Sequence, residues 1–168
     1  MTMYATVDSP LGELLLVGEE TAGSAGIALV SLSLPAQKGA AVVQDGWRHE
    51  PAAFEGIAAQ LREYFEGRRT RFDVRYADGR GTDFQRRVWA ALDAVPYGET
   101  VSYGQIAERV GSAGAGVRAV GTAIGRNPLL VVRPCHRVIG ADGALRGYAG
   151  GLERKEQLLG LEGALAAG

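Results

Sequence analysis

Residues 131–140 read VVRPCHRVIG and contain the only cysteine of the chain, Cys135, set between a proline and a histidine. The reactive form of a cysteine is the thiolate, and an unperturbed thiol is mostly protonated at neutral pH. An imidazole that removes the proton, itself oriented by a carboxylate, converts such a thiol into a nucleophile. His136 is the candidate base, because the only other histidine, His49, lies in the acidic first half of the sequence. Adjacent residues on an extended chain point to opposite faces, so the two side chains need not touch. Where they diverge, one bridging water carries the proton, which is an acceptable form of general-base catalysis. Pro134 constrains the approach by fixing its own φ and holding Arg133 extended.

The orienting carboxylate is sought in GGLERKEQLLGLE, which reads as a helix. At about 100° per residue, Leu152 and Leu159 nearly eclipse, and Lys155 and Glu162 project within the same apolar arc. Polar groups on a buried face need partners. Glu162 also falls near the end of the helix, where the dipole disfavours an anion. A carboxylate placed against both tendencies is the candidate third member; the alternative is that it reaches solvent past a fraying end.

The elements that must position these groups are legible in outline. Residues 3–8, 14–17 and 27–34 are alternating or apolar runs of strand length and suggest a three-strand meander. QKGAAVVQDGWRHEP has no clear period and reads as a loop. In PAAFEGIAAQLREYFEG, Phe54, Ile57, Ala58, Leu61 and Phe65 share one helical face. FDVRY alternates again and is expected to be the last strand of a small four-stranded sheet. ADGRG, residues 77–81, is the expected linker.

Beyond it the pattern turns helical. Thr82 with Gln85, and Ser102 with Gln105, have capping-box spacing and open two short helices. The first carries Phe84, Val88 and Leu92 and ends at Pro96; the second carries Ile106, Ala107 and Val110 and closes at Gly111. A third helix is expected over residues 115–125. Short helix, tight turn and short helix form the helix-turn-helix pattern. The third helix contains VRAVGTAIG, whose two internal glycines each cost about 1 kcal/mol relative to alanine. Val117, Val120 and Ile124 form an inner stripe, while Arg118 projects among small residues. Such a smooth face lets backbone approach DNA closely and carries one long cation into a groove. The plainer reading is close helix packing with Arg118 in a surface ion pair.

Composition sets the limits. The chain has 168 residues, 46 % of them apolar, enough for a proper core. Residues 1–78 carry 7 Lys and Arg against 11 Asp and Glu, whereas residues 79–168 carry 11 against 8, so the second part is the one suited to a polyanion. One cysteine excludes an internal disulfide and a thiolate-rich zinc site, and no metal or other cofactor is expected. The first residues, MTMYATVDSPLGE, lack the pattern of a signal peptide, and no apolar run reaches the ~18 residues of a membrane span. A free thiol suits the cytoplasm.

RPCHRVIG, preceded by RAVGTAIGRNP and followed by GYAGGLERKEQLLGLE, is similar to the O6-alkylguanine-DNA alkyltransferases, also called methylated-DNA–protein-cysteine methyltransferases. The resemblance covers residues 82–162 closely and the first part only in general character. It implies an α/β protein of two domains. Residues 1–78 would form a small ribonuclease-H-like α/β domain, and residues 79–168 a mainly α, winged helix-turn-helix-like domain that binds DNA and accepts the alkyl group. Cys135 would take an alkyl group from O6 of guanine in duplex DNA, once per molecule, and its sulfur would have to be held ionised through water and His136, with Glu162 behind. Asn127 would brace the turn before the active segment, Lys155 would support the site, and Tyr103 would contact the base and crowd its phosphate. DNA contact would fall to Arg118, Tyr103, Ser102, Ala119 and Gly125, with Arg118 filling the space of the flipped nucleotide. Val138 would offer its carbonyl to the guanine amino group, and Tyr148, Ala149 and Gly150 would wall the pocket. No membrane and no obligate protein partner is implied, and a monomer is expected.

Three positions bear on that resemblance. Arg133 stands where aliphatic residues are usual and would meet a partner from the first domain or the DNA; Ala149 replaces a common serine; Ile124 is a harmless hydrophobic change. Two rival functions stay open at this point: a cysteine hydrolase using Cys135 and His136, and a non-catalytic DNA-damage-binding module.

Overall fold

In the computed structural model, which describes residues 1–21, 26–77, 79–111 and 116–165, the chain divides into two units, Met1–Gly79 and Arg80–Gly168. In the first, β1 (Thr2–Val7), β2 (Leu14–Glu20) and β3 (Ile27–Ser33) form the expected antiparallel meander, with Tyr4 opposite Val17 and Leu16 opposite Leu32. Alternation puts Met3 and Ala5 inside, and Leu14, Leu16, Leu29 and Leu32 complete the buried face.

The fourth strand is not FDVRY. It is β4 (Arg48–His49), inside the stretch read as a loop, which pairs in parallel with Met3 and Tyr4 on the other edge of the sheet. Its length of 2 residues leaves no period to detect, and stacking of His49 on the Tyr4 ring at 5.1 Å is a tertiary event. FDVRY supplies only a bridge from Tyr76 to Leu29. Its earlier backbone is claimed by a side chain instead: Asp73 N–H donates to Gln60 Oε1 at 2.8 Å, and Gln60 Nε2 donates to Asp73 O at 2.9 Å.

A 3₁₀ turn, Pro51–Phe54, leads into α1 (Glu55–Phe65), which buries Ile57, Leu61 and Tyr64. Tyr64 takes the inward place assigned to Phe65, since positions three and four beyond Leu61 share a face. Its ring meets Phe65 at 5.1 Å and Phe72 at 5.2 Å.

In the second unit both capping boxes form. Thr82 opens α2 (Asp83–Asp93) and Ser102 opens α3 (Tyr103–Arg109), each hydroxyl accepting from the N–H three residues on while the glutamine reaches back. Each cap contributes about 1 kcal/mol. Gly81 must be glycine, because its φ is +80° and a Cβ there would stand 2.7 Å from the Trp89 ring. Helix α4 (Gly116–Gly125) buries Val120, Ala123 and Ile124; residue 115, included in the expected helix, lies outside the described residues. Trp89 Nε1 donates to Ala123 O at 2.9 Å and ties α2 to α4.

Two short parallel strands, β5 (Val101–Ser102) and β6 (Val138–Ile139), then join the start of α3 to the residues just after Cys135. Helix α5 (Leu152–Leu161) closes the unit and buries Lys155, Leu158 and Leu159. None of the helices among the described residues is long and apolar enough to cross a membrane.

Candidate active site

Every residue from 129 to 138 is buried, so this segment must satisfy its backbone polar groups internally. Asn127 supplies the first of these partners. Leu129 N–H donates to its Oδ1 at 3.0 Å, and its Nδ2 donates to Leu129 O at 3.3 Å. Arg133 N–H then returns to Leu129 O at 3.1 Å. Val131 takes a φ of +69°, an uncommon conformation for a β-branched residue, inside this tight winding. The winding ends in one 3₁₀ turn, Cys135–Arg137, and β6 follows. Asn127 thereby braces the turn, and the β5–β6 pair brings Ser102 and Tyr103 alongside it.

Glu162 is buried and caps the end of α5. Its Oε2 lies 2.8 Å from His136 Nε2, while Arg137 donates to it twice, from Nε to Oε1 at 2.7 Å and from Nη2 to Oε2 at 2.9 Å. A carboxylate holding a guanidinium is an acceptor only, so the neutral imidazole carries its proton on Nε2. That leaves Nδ1 as the basic nitrogen, and it is buried with no protein hydrogen-bond partner. Burial lowers the imidazole pKa below its usual value, Glu162 opposes the fall, and Arg137 and Lys155 add to it. The ring is therefore neutral at pH 7.

The sulfur departs from expectation. Cys135 is 4 % exposed, and burial pushes its thiol up to about 11, against the pull of the Asn127 amide and the charges of Lys155 and Arg133. The resting group is a neutral thiol, not a sulfur held ionised. Desolvation of the anion outweighs every favourable group around it.

Lys155 is fully buried and donates from Nζ to Val138 O at 2.6 Å, Arg146 O at 2.9 Å and Gly147 O at 3.4 Å. Burial brings it down to about 8, and Cys135 works in the opposite direction, so it remains a cation at neutral pH. The Val138 carbonyl expected to meet the guanine amino group thus already accepts one bond and keeps its second lone pair. The Tyr103 ring centroid is 6.0 Å from Lys155 Nζ. Burial and then Cys135 raise the Tyr103 pKa, so its hydroxyl stays protonated. Tyr148 stands edge-on to His136 with centroids 6.5 Å apart, and burial holds its pKa well above normal. Ala149 is half-buried and Gly150 buried beside it.

On α4, Arg118, Ala119, Thr122 and Gly125 form an exposed face. Arg118 shows no ion pair among the described residues. The α4 glycine Gly121 lies against Tyr103: a Cβ there would be 4.0 Å from its ring. Tyr103 therefore touches α4 and also feels the charge state of Cys135. The Ser102 hydroxyl accepts in its cap and keeps its O–H to donate in a further contact. An open cleft of about 710 Å³ between β1 and α1 contains none of the candidate site residues.

Arg133 finds partners inside its own unit. Nε donates to Asp93 Oδ1 at 3.2 Å, and the guanidinium lies 5.2 Å from the Trp89 ring centroid. The role of Arg137 is not marked by any spacing in the sequence; a second arginine in an apolar run is the available signal.

Two outcomes follow from this geometry. Iodoacetamide alkylation of Cys135 in the DNA-free protein is expected to rise about tenfold per pH unit between pH 8 and 10; a plateau below pH 8, seen by intact mass, contradicts the high thiol pKa. Glu162→Gln leaves Arg137 buried without its anion, and should cost about 3–5 kcal/mol in urea unfolding. An unchanged midpoint would show that the carboxylate is not structurally shared.

Comparison with known proteins bears on the same residues. Residues 83–164 match the DNA-binding domain of 6-O-methylguanine DNA methyltransferase, and residues 2–76 match its ribonuclease-like domain. The methylated-DNA–protein-cysteine methyltransferase of Mycolicibacterium paratuberculosis is 51% identical over 162 residues, covering 96% of this chain and 93% of that protein. Its counterpart from Methanosarcina acetivorans is 46% identical over 160 residues, covering 95% and 97%. The crystal structure of Mycobacterium tuberculosis OGT in complex with DNA aligns with a TM-score of 0.83 at 49% identity, covering 96% of this chain and 93% of that one. With both domains matched in order and over nearly its whole length, the chain belongs to the 6-O-methylguanine DNA methyltransferase family.

Proposed function

We propose that this chain repairs O6-alkylguanine in duplex DNA by direct reversal, moving the alkyl group irreversibly to Cys135 in a single turnover. The observation that carries this reading is the buried relay. Glu162 fixes His136 with Nε2 as donor, and the basic Nδ1 is left without a protein partner next to the only cysteine. The relatives named for methylated DNA and a protein cysteine agree with it.

The damaged oxygen lies within a stacked duplex, so the nucleotide must turn out, at a cost of a few kcal/mol. The exposed α4 face, with Arg118 projecting from small residues, suits close approach to a minor groove, and Arg118 fills the emptied place. Ser102, Ala119 and Gly125 flank that contact, and phosphate charge makes binding largely independent of sequence.

In the pocket, walled by Tyr148, Ala149 and Gly150, the guanine amino group takes the free lone pair of Val138 O. The thiol proton passes through a water to His136 Nδ1, and Glu162 stabilises the resulting imidazolium. A sulfur–carbon bond forms in line as the carbon–O6 bond breaks, and its electron pair stays with O6. The Tyr103 hydroxyl returns a proton to the departing base, and the Lys155 cation near its ring favours the phenolate left behind. The thioether is not hydrolysed, so turnover ends. We assign the reaction to the cytoplasm, where a lone thiol stays reduced and DNA is at hand.

Duplex DNA carrying O6-methylguanine should add one methyl to the intact protein mass, stoichiometrically, and none to Cys135→Ser. Repeated turnover with no mass gain would instead indicate a hydrolase, and binding alone a damage-recognition module. Arg118→Ala should slow repair of duplex DNA by about tenfold or more while sparing reaction with a free alkylguanine base. Equal losses on both substrates would remove Arg118 from base extrusion.

A further inference from the structure

Arg133 is 8 % exposed and immediately precedes the Pro134–Cys135 pair, yet the transfer reaction described above gives it no part. Its surroundings are built. Asp93 and Trp89 lie one turn apart on α2 and hold the guanidinium from two sides, through the 3.2 Å Nε bond and the 5.2 Å ring contact. A second arm, Nη1, donates to Asn127 Oδ1 at 3.3 Å.

We propose that Arg133 is a positioning residue for the nucleophile, locking the Asn127 amide so that Nδ2 and not Oδ1 serves the Cys135 sulfur. The proposal rests on Cys135 being the alkyl acceptor. Asn127 Oδ1 receives two donors, Leu129 N–H at 3.0 Å and Arg133 Nη1, which uses both of its lone pairs. Nδ2 gives one hydrogen to Leu129 O and has a second left over, and the Asn127 amide works against burial at the thiol. A guanidinium has no acceptor, so a flipped amide would set donor against donor at Arg133. Leu129 alone discriminates through one N–H and one C=O; Arg133 adds a second lock on the same oxygen. The amide as donor favours the sulfur anion, and the Arg133 charge acts in the same direction. The residue therefore works twice on the one step that burial makes difficult.

The test compares wild type, Arg133→Met and Arg133→Lys by two readouts: the pH profile of iodoacetamide alkylation, and transfer from free O6-benzylguanine. The other titratable groups near the sulfur, Tyr103 on α3, the neighbouring His136, Tyr148 and Lys155 on α5, are common to all three. Arg133→Met should move the profile to higher pH and slow both reactions about tenfold, the value of one pKa unit, with DNA affinity held within about twofold. Arg133→Lys, which keeps the charge but loses the fork, should lie between. If Arg133→Met fails to fold, Arg133→Gln serves in its place and should shift the profile in the same direction. A folded variant with a lower melting temperature and the wild-type profile would overturn the proposal. A wild-type protein that reacts with iodoacetamide yet gains no methyl from DNA removes the functional reading instead, while the variant profiles still decide the role of Arg133.

Discussion

One buried carboxylate governs the geometry of the active segment. Glu162 receives His136 and Arg137, consecutive residues of the turn that carries Cys135, and Arg137 continues to Val95 O at 2.7 Å, just past the end of α2. The turn is thus held between α5 and α2 by one anion and one cation. Removing either partner would leave an uncompensated buried charge, the costly kind of loss. Helix α5 supplies the opposite charge as well: Lys155, seven residues before Glu162, pins Val138 on the far side of the turn. The dipole that makes the helix end unfavourable for an anion is offset by three N–H donors.

Within this frame the thiol and its base both rest in neutral form. For a protein that acts once, an inert resting sulfur has a clear use, since a permanently ionised thiol would be consumed by any passing electrophile. In the proposed reaction, activation depends on what substrate binding changes: exclusion of bulk water, a purine stacked in the pocket, and a proton path closed from sulfur to Nδ1. The surrounding charges cannot overcome burial alone, yet they shorten the step that remains.

Much of this could be read from residue order. The capping boxes at Thr82 and Ser102 are local, and each was legible because its two residues lie on one turn. Lys155 and Glu162 stood out as polar residues on an apolar arc, a signal that needs only periodicity. The meander was visible through alternation. What escaped was decided across space. The β4 pairing and the capture of Asp73 by Gln60 depend on which segments meet, so FDVRY was misplaced despite its pattern. Arg137 disappeared inside the motif that contains it. Arg133 stands out as unusual, but its partners Asp93 and Trp89 lie some forty residues earlier in the chain. The protonation state of Cys135 depends on total burial, which no neighbouring residue announces.

Trp89 has an optical consequence. It is one of only two tryptophans, and the other, Trp47, lies in the first unit and is partly exposed. The Trp89 indole is sequestered, donates to α4 and sits against the Arg133 guanidinium. Its emission should be blue-shifted from that of Trp47 and responsive to any movement of α4 or of the arginine. The protein thereby carries its own fluorophore at the junction between α4 and the segment that holds Cys135, with no label required.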